Sequence, residues 1–392
     1  MEASRKYVIY MGVIFIPDGN AASQRAYAMA KMIKKCGYSP VIVGMHKNEN
    51  RDVLATEQFK NDISIYSMSY PTTILSWLRT LYSIQDLCTV INHLGKENIK
   101  AIIAMDYYSI ALLRIINLCQ KHNIIFVADA VDWFAKSQYK FPKNFIKDID
   151  TFIRMQWIYK QKINLIAISK YLYSFYSSSA KKIVYIPGVI DSGRYKRKHE
   201  LYESSEGIIK FAFVGSPGKK CEKEKIDWMI RIICELNKTQ RRAKFIIAGI
   251  DKETLGINRP DLVQIDNFDE SVECLGRISH VDCINLLMQS DYAIIVREDN
   301  RLSNAGFPTK LGESFACGVP IVATPTSDIK DYISHFYGVI SEECTEESLK
   351  QTLNILLTGD AKSRCKMMHE TVLKDNPLEC DKFISQMHEI LS

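Results

Sequence analysis

Apolar residues in this chain come as short unbroken runs, and longer amphipathic stretches separate them. The first run, Tyr7 to Ile16, is ten residues long. A bilayer crossing needs about 18–20, so this run reads as a strand buried on both faces. "AASQRAYAMAKMIKKCG" follows with helical periodicity and stops at Gly37, a usual helix terminator. Further strands are predicted at "SPVIVGM", "KAIIAMD", "NIIFVAD", "INLIAIS" and "KKIVYIP", with helical segments between most of them. Strands apolar throughout and alternating with helices predict a parallel sheet covered on both sides.

Tyr185 to Gly207 breaks the rhythm with proline, three glycines and mixed charge, the composition of a linker. Beyond it the alternation resumes. "IIKFAFVG", "RRAKFIIAG" and "YAIIVRE" read as strands, "KEKIDWMIRIICELNK" and "HVDCINLLMQSD" as helices, and "DKFISQMHEILS" as a closing amphipathic helix. The expected architecture is α/β: two Rossmann-like, doubly wound parallel-sheet domains facing an interdomain cleft. They span 1–188 and 189–376, and the helix within 377–392 packs back on the first. Ligands of such folds bind at the carboxyl ends of the strands.

The length of 392 residues suits two such domains, and 47% hydrophobic residues suffice for ordinary cores. A net charge of +6 fits an anionic ligand or an acidic membrane surface. The 11 cysteines include no C-x-x-C pair and no zinc-ligand spacing, which points to reduced thiols in a cytoplasmic protein without a leader segment.

Candidate chemistry lies at strand ends. After "IIKFAFVG" come Gly215, Ser216, Pro217, Gly218, Lys219 and Lys220. Glycines allow close backbone approach, and a following helix start would add free N–H groups, so the segment reads as a diphosphate seat or as a solvated turn with surface lysines. After "YAIIVRE", which carries Arg297, a helix is expected to begin near Thr309, directly behind Pro308. Lys310 in its first turn opposes the helix dipole, which implies an anion nearby. Glu313, one turn on, suits two vicinal ribose hydroxyls, or else the helix start itself. In the first domain, Asp129 and Asp132 of "IIFVADAVDWF" are candidates to orient an acceptor hydroxyl or take its proton. Gly19, Asn20 and Arg25, in the loop after the first strand, are candidate acceptor contacts. The tripeptide Asp148-Ile149-Asp150 falls in a helical stretch and reads as a solvated face, so no metal or other cofactor is expected. Lys220, Lys310, Arg297 and helix N-termini would then be the fixed positive groups available to an anionic ligand. Without G-x-G-x-x-G, a nicotinamide dehydrogenase is not expected.

The stretch "AGFPTKLGESFACGVPIVAT" between two strands resembles the C-terminal signature of GT-B glycosyltransferases, in particular glycosyltransferase family 4 (glycosyl transferases group 1). Gly306, Phe307, Glu313, Ala316, Gly318, Pro320 and Val322 fall in register with it. "GSPGKK" is similar to the family's first C-domain loop, "YIPGVID" to its linker, and "LIAISKYL" to the segment before that. Ala305 stands where the family has the first Glu of Glu-x7-Glu, Pro308 where it has a second glycine, and Ser216 where it has arginine. The pattern is that of a Pro-x-Lys-x-x-Glu variant. The resemblance implies a metal-independent, retaining transfer from a nucleotide-sugar, UDP being the expected nucleotide. The acceptor would be a glycan or a polyprenyl-linked sugar, as in the synthesis of capsule and other bacterial surface polysaccharides. It also assigns Glu313 to the ribose. The sugar-side contact then falls to Asn304 or to the backbone at Gly306 and Phe307, and Lys310 and Arg297 replace the missing arginine. Two aromatic and basic stretches, Tyr70–Ile84 and Phe134–Lys162, have the composition of interfacial helices at the inner membrane face and equally that of core helices with a basic outer side. "RYKRKHE" reads as solvated linker, and no nucleic-acid motif is present. Two other functions fit the same fold: a non-catalytic partner subunit, supported by Ala305, and a sugar-nucleotide epimerase.

Overall fold

A computed structural model describes residues 6–16, 21–45, 56–59, 63–68, 70–133, 143–195, 207–218 and 220–392. The chain divides into two compact units. Unit 1 comprises Met1–Asp191, Ala305–Phe307 and Glu379–Ser392, and unit 2 comprises Ser192–Asn304 and Pro308–Leu378.

Unit 1 is built on strands β1 (Tyr7–Phe15), β2 (Ser39–Met45), β3 (Thr56–Phe59), β4 (Ile63–Met68), β5 (Ile99–Met105), β6 (Ile125–Ala130), β7 (Asn164–Ala167) and β8 (Lys182–Tyr185). They form one sheet in the order β3-β4-β2-β1-β5-β6-β7-β8. All pairs are parallel except the edge hairpin β3–β4. In β1, Tyr7–Met11 lie opposite Ser39–Val43 on one side, and Val8–Gly12 opposite Ala101–Met105 on the other. A central strand covered on both faces has no place for a polar side chain, which explains its unbroken apolar run. The helix Ala21–Lys35 carries the chain from β1 to β2 and ends ahead of Gly37 at φ +86°. Strands β2 to β4 lie to one side of β1 and β5 to β8 to the other, so the winding reverses between β1 and β5.

The C-terminal helix Ile384–Leu391 completes unit 1, burying Met387, Ile390 and Leu391. The segment leading into it is tied by the Cys380 N–H to the Ile190 carbonyl at 2.9 Å. Lys31 Nζ lies 2.8 Å from Asp191 and 2.9 Å from Glu379. Ligand atoms of Asp191, Glu379 and Cys380 lie within 4.8 Å of one another, a spacing that a metal ion would suit, but Lys31 already meets the carboxylate charge there.

Unit 2 contains β9 (Ile209–Val214), β10 (Ala243–Ala248), β11 (Val272–Gly276), β12 (Tyr292–Ile295), β13 (Ile321–Ala323) and β14 (Gly338–Ile340), ordered β11-β10-β9-β12-β13-β14 and parallel throughout. The helix Ile226–Leu236 turns Ile226, Met229, Ile230 and Ile233 onto this sheet's core, the spacing of one helical face. Here the winding reverses between β9 and β12. Their ladder has only two residue pairs, Phe211–Tyr292 and Ala212–Ala293, and then opens. Crevices of this kind, at strand carboxyl ends and a reversal of winding, are where open α/β sheets bind ligands. Among the described residues no helix is long and apolar enough to cross a membrane.

Candidate active site

At the crevice of unit 2, β9 runs into Gly215 and β10 into Gly249, both at φ +131°. A Cβ on Gly249 would lie 2.0 Å from the Gly215 carbonyl oxygen, and one on Gly215 would lie 2.8 Å from Lys310 Cε. Backbone conformation and space therefore both demand glycine. Lys310 reaches this point from the second residue of the helix Thr309–Ala316, which starts directly after Pro308.

Past Gly215 the chain makes a tight turn. The Pro217 carbonyl accepts from the N–H groups of Lys223 (3.1 Å) and Glu224 (3.3 Å), and the Lys225 N–H donates to Val296 (2.8 Å). This turn carries Glu224 inward until it is 1% exposed. Its Oε1 accepts from Lys310 Nζ at 3.0 Å and from Arg297 Nε and Nη2 at 3.1 and 2.8 Å. Lys310 Nζ also stands 4.0 Å from the centroid of the Phe213 ring. Burial pushes the Lys310 ammonium down to about 8, with Glu224 opposing and Arg297 adding. Burial pushes the Glu224 carboxyl up, and Lys310 and Arg297 more than reverse this, leaving it below the ordinary glutamate value. Arg297 is fixed in turn by Thr324, whose Oγ1 accepts from its N–H and donates to its carbonyl, 2.8 Å each.

Two expectations change here. The helix after "GSPGKK" begins only at Ile226, and its first turn already holds Asp227, which Arg231 and Arg259 each approach to 3.1 Å. It is not a free helix start for a phosphate. The anion that offsets Lys310 against the helix dipole is the chain's own Glu224. Sequence reasoning missed this residue because nothing in the charged run "KKCEKEK" marks one glutamate as buried. Ser216 and Lys220 are exposed, and the Lys220 N–H is bonded to Glu222 at 2.8 Å. Lys219 lies outside the described residues.

Glu313 is half-buried, with His280 Nε2 at 3.6 Å from its Oε1. A cavity of about 10 Å³ lies between Val214, Ile294, Lys310 and Glu313, where the β9–β12 ladder has opened. It has room for about one water. Thr309 is the half-buried first residue of its helix. Asn304 is engaged elsewhere. Its Nδ2 donates to Asp299 at 2.6 Å and its Oδ1 accepts from the Ser327 N–H at 2.8 Å, so its amide braces a turn instead of being free for a donor sugar. Gly306 and Phe307 belong to unit 1. There the Phe307 ring fills the space beside Gly188, where a Cβ would lie 2.5 Å from Cδ1, and the Ala305 carbonyl accepts from Ser169 Oγ at 2.7 Å.

In unit 1 two of the residues nominated for the acceptor side, Asp129 at the end of β6 and Arg25 in the helix Ala21–Lys35, are engaged with each other. Asp129 is fully buried. Its oxygens accept from Arg25 Nε and Nη2, both at 2.8 Å, and from the Tyr10 hydroxyl at 2.6 Å. Arg25 also donates to the carbonyls of Pro187 (2.6 Å) and Ile186 (3.2 Å). Asp129 as a base and Arg25 as an acceptor contact are therefore corrected: the pair is an internal brace. Asp132 is exposed. Gly19 and Asn20 lie outside the described residues. Asp150 is not on a solvated face; it is buried and accepts from Ser109 N (2.8 Å) and Oγ (2.6 Å), capping the helix Ser109–Lys121.

Asp106, just past β5 at the reversal of winding, was not singled out from sequence, although "AIIAMD" ends as "IIFVAD" does. Its backbone is at φ +41°, and its carboxylate accepts from the Tyr159 hydroxyl at 3.2 Å. Burial pushes its carboxyl up to about 6, with Arg154 opposing and Asp132 and Asp129 adding. Beside it, a cavity of about 270 Å³ is lined by Met45, Met68, Tyr70, Arg79, Asp86 and Tyr107 among others, at the carboxyl ends of β2, β4 and β5.

Comparison with known proteins bears on this geometry. Residues 209–359 match the family described as glycosyl transferases group 1. A search of curated protein sequences finds no match. Among solved structures the chain is similar to a sucrose-phosphate synthase from Thermosynechococcus elongatus, at 11% identity and TM-score 0.68 over 98% of each chain. It is similar to the Anabaena protein HepE in complex with UDP and glucose, at 12% identity and TM-score 0.66 over 99% of each. It is also similar to WaaG, a glycosyltransferase involved in lipopolysaccharide biosynthesis, at 13% identity and TM-score 0.63 over 98% of this chain and 99% of that one. The stretch that matches the family contains the Gly215 loop, Glu224, Arg297, Lys310 and Glu313. Residues 209–359 of unit 2 thus match a glycosyl transferases group 1 domain, and the chain has the GT-B fold of these solved glycosyltransferases.

Proposed function

We propose that the chain transfers a sugar from a nucleotide-sugar, with UDP as the expected nucleotide, to a glycan or polyprenyl-linked acceptor, in the synthesis of a bacterial surface polysaccharide such as capsule. The observation that carries this reading is the pair of cations, Lys310 and Arg297, gathered at the crevice of unit 2 with Glu313 one helical turn away. A departing nucleoside diphosphate develops negative charge, and fixed cations held in a partly desolvated crevice stabilise it without reorganising. On this reading the two side chains do the work without a metal. Glu313 accepts from the ribose hydroxyls, and transfer retains configuration, as the family resemblance implies. HepE was solved with UDP and glucose, and WaaG acts in lipopolysaccharide biosynthesis, which supports the donor and the product class. Unit 1 supplies the acceptor side, for which the cavity beside Tyr107 has the volume of a saccharide ring or two.

The test is a thermal-shift panel of UDP, GDP, dTDP and their sugars in EDTA. Stabilisation by UDP and its sugars is expected; stabilisation by none sinks the reading. A nucleotide at 100 times its Kd adds about 2.7 kcal/mol.

We place the protein at the inner membrane surface. Phe145, Ile149 and Phe152 are 59%, 42% and 58% exposed, and their spacing puts them on one face of the helix Lys143–Ile153. Trp157, just beyond that helix, is 59% exposed. Co-sedimentation with vesicles containing anionic lipid is expected for the wild type. The triple variant Phe145→Ser, Ile149→Ser, Phe152→Ser is expected to lose it by about tenfold or more, each buried side chain contributing on the order of 1.5–3 kcal/mol when fully desolvated. Unchanged sedimentation would reassign the face.

A further inference from the structure

We propose that Glu224 is a positioning residue of the donor site: its buried carboxylate holds Lys310 and Arg297 side by side and keeps Lys310 charged for the diphosphate. The inference rests on the donor reading above.

One oxygen, Oε1, receives both cations, at 3.0 Å from Lys310 and 2.8 Å from Arg297. Two like charges converging on one buried point repel, and only the intervening carboxylate makes the arrangement favourable. Without it, Arg297 cannot respond by losing a proton, because a guanidinium stays charged at any workable pH. Lys310 can. It faces Glu224, Arg297, the Phe213 ring and the Gly215 backbone, with Lys223 adding positive potential. Of these groups, Glu224 is the one that favours the ammonium by its charge. The side chain is also well made for a permanent post. The turn at Pro217 and the Lys225–Val296 bond drive Glu224 inward from both flanks, and its exposure is 1%. Its Oε2 is buried without a partner among the described residues, so one acceptor remains for water or a ligand hydroxyl.

A brace that merely shapes the turn would leave the titration of Lys310 unmoved. The experiment is therefore NMR of the whole protein labelled with [13Cε]lysine, the Lys310 signal being assigned by its loss in Lys310→Arg. In the wild type the signal is expected to titrate near pH 8. In Glu224→Gln it is expected at least about one pH unit lower, and in Glu224→Asp near the wild-type value. Arg297→Gln removes the repelling neighbour and is expected to move it upward; this variant carries the test if Glu224→Gln does not fold. UDP affinity is read in parallel by calorimetry. The ratio of affinity at pH 6.5 to that at pH 8.5 is expected to grow by about tenfold in Glu224→Gln. An unshifted Lys310 signal in folded Glu224→Gln, or a downward shift in Arg297→Gln, overturns the proposal. If UDP fails to bind the wild type, the donor reading falls, while the lysine titration still decides what Glu224 does to Lys310.

Discussion

Lys310→Ala is expected to lower kcat/KM for sugar transfer by about 10²–10³-fold and to abolish stabilisation by UDP. The first figure is the usual loss on removing one preorganised charge-stabilising donor, about 2.7–4 kcal/mol. The second follows from the same contact, since the ammonium serves donor binding before it serves departure of the leaving group. For a protein of this size, UDP at 100 times its Kd should raise the wild-type Tm by roughly 3 °C, and the variant by little. The fold should survive. Lys310 is only partly buried, and Glu224 keeps both of its Arg297 hydrogen bonds. Lys310→Arg separates charge from shape. It restores a cation, but a longer and planar one, and Gly215 already lies against the Lys310 stem. Partial recovery of UDP binding with poor turnover is the expected result. Wild-type turnover in Lys310→Ala would move the leaving-group role elsewhere, Arg297 being next in line.

What the sequence disclosed and what it hid follow from the distance over which each feature is specified. Buried parallel strands carry their signature locally, because both faces must be apolar; β1 and β2 hold no charged residue, and β5, β6, β9 and β10 each hold one, Lys100, Asp129, Lys210 and Lys244, in an otherwise apolar run. The edge strand β3, "TEQF", has one apolar residue, and β11, "VECLG", is interrupted by Glu273 after its first, so neither gave such a signal. The helix at Thr309 was legible because Pro308 punctuates it. Which side chains meet at the strand ends was not. Glu224 finds Arg297 and Lys310 across 73 and 86 residues, and Arg25 finds Asp129 across 104. A carboxylate at a strand end looks the same in sequence whether it faces a ligand or an internal arginine. For that reason Asp129, an internal brace, was nominated for chemistry, and Asp106, in the strained position at the reversal of winding, was passed over.

The brace itself yields the sharpest contrast between the two roles Asp129 was offered. If its carboxylate took the acceptor's proton, Asp129→Asn would cut kcat and leave stability nearly intact. The structure leads to the opposite expectation. Asparagine keeps the shape but strands the Arg25 guanidinium, 3% exposed, with carbonyl partners and no counter-charge. Breaking one partner of a buried pair costs about 3–5 kcal/mol, a large share of a typical domain's stability. Asp129→Asn and Arg25→Ala are therefore each expected to lower the unfolding free energy of unit 1 by that amount, read as a lower denaturant midpoint. The double variant Arg25→Met, Asp129→Leu should recover part of the loss, because it removes both charges and leaves neutral groups alone short of a partner: the Tyr10 hydroxyl without its acceptor and the Pro187 and Ile186 carbonyls without the Arg25 donor. Chemical denaturation of all three, followed by turnover on the fraction that remains folded, discriminates the roles. A stable but inactive Asp129→Asn returns the residue to the chemistry. An unstable one whose folded fraction still turns over confirms that the buried end of β6 holds the sheet together and that acceptor chemistry belongs to its exposed neighbours.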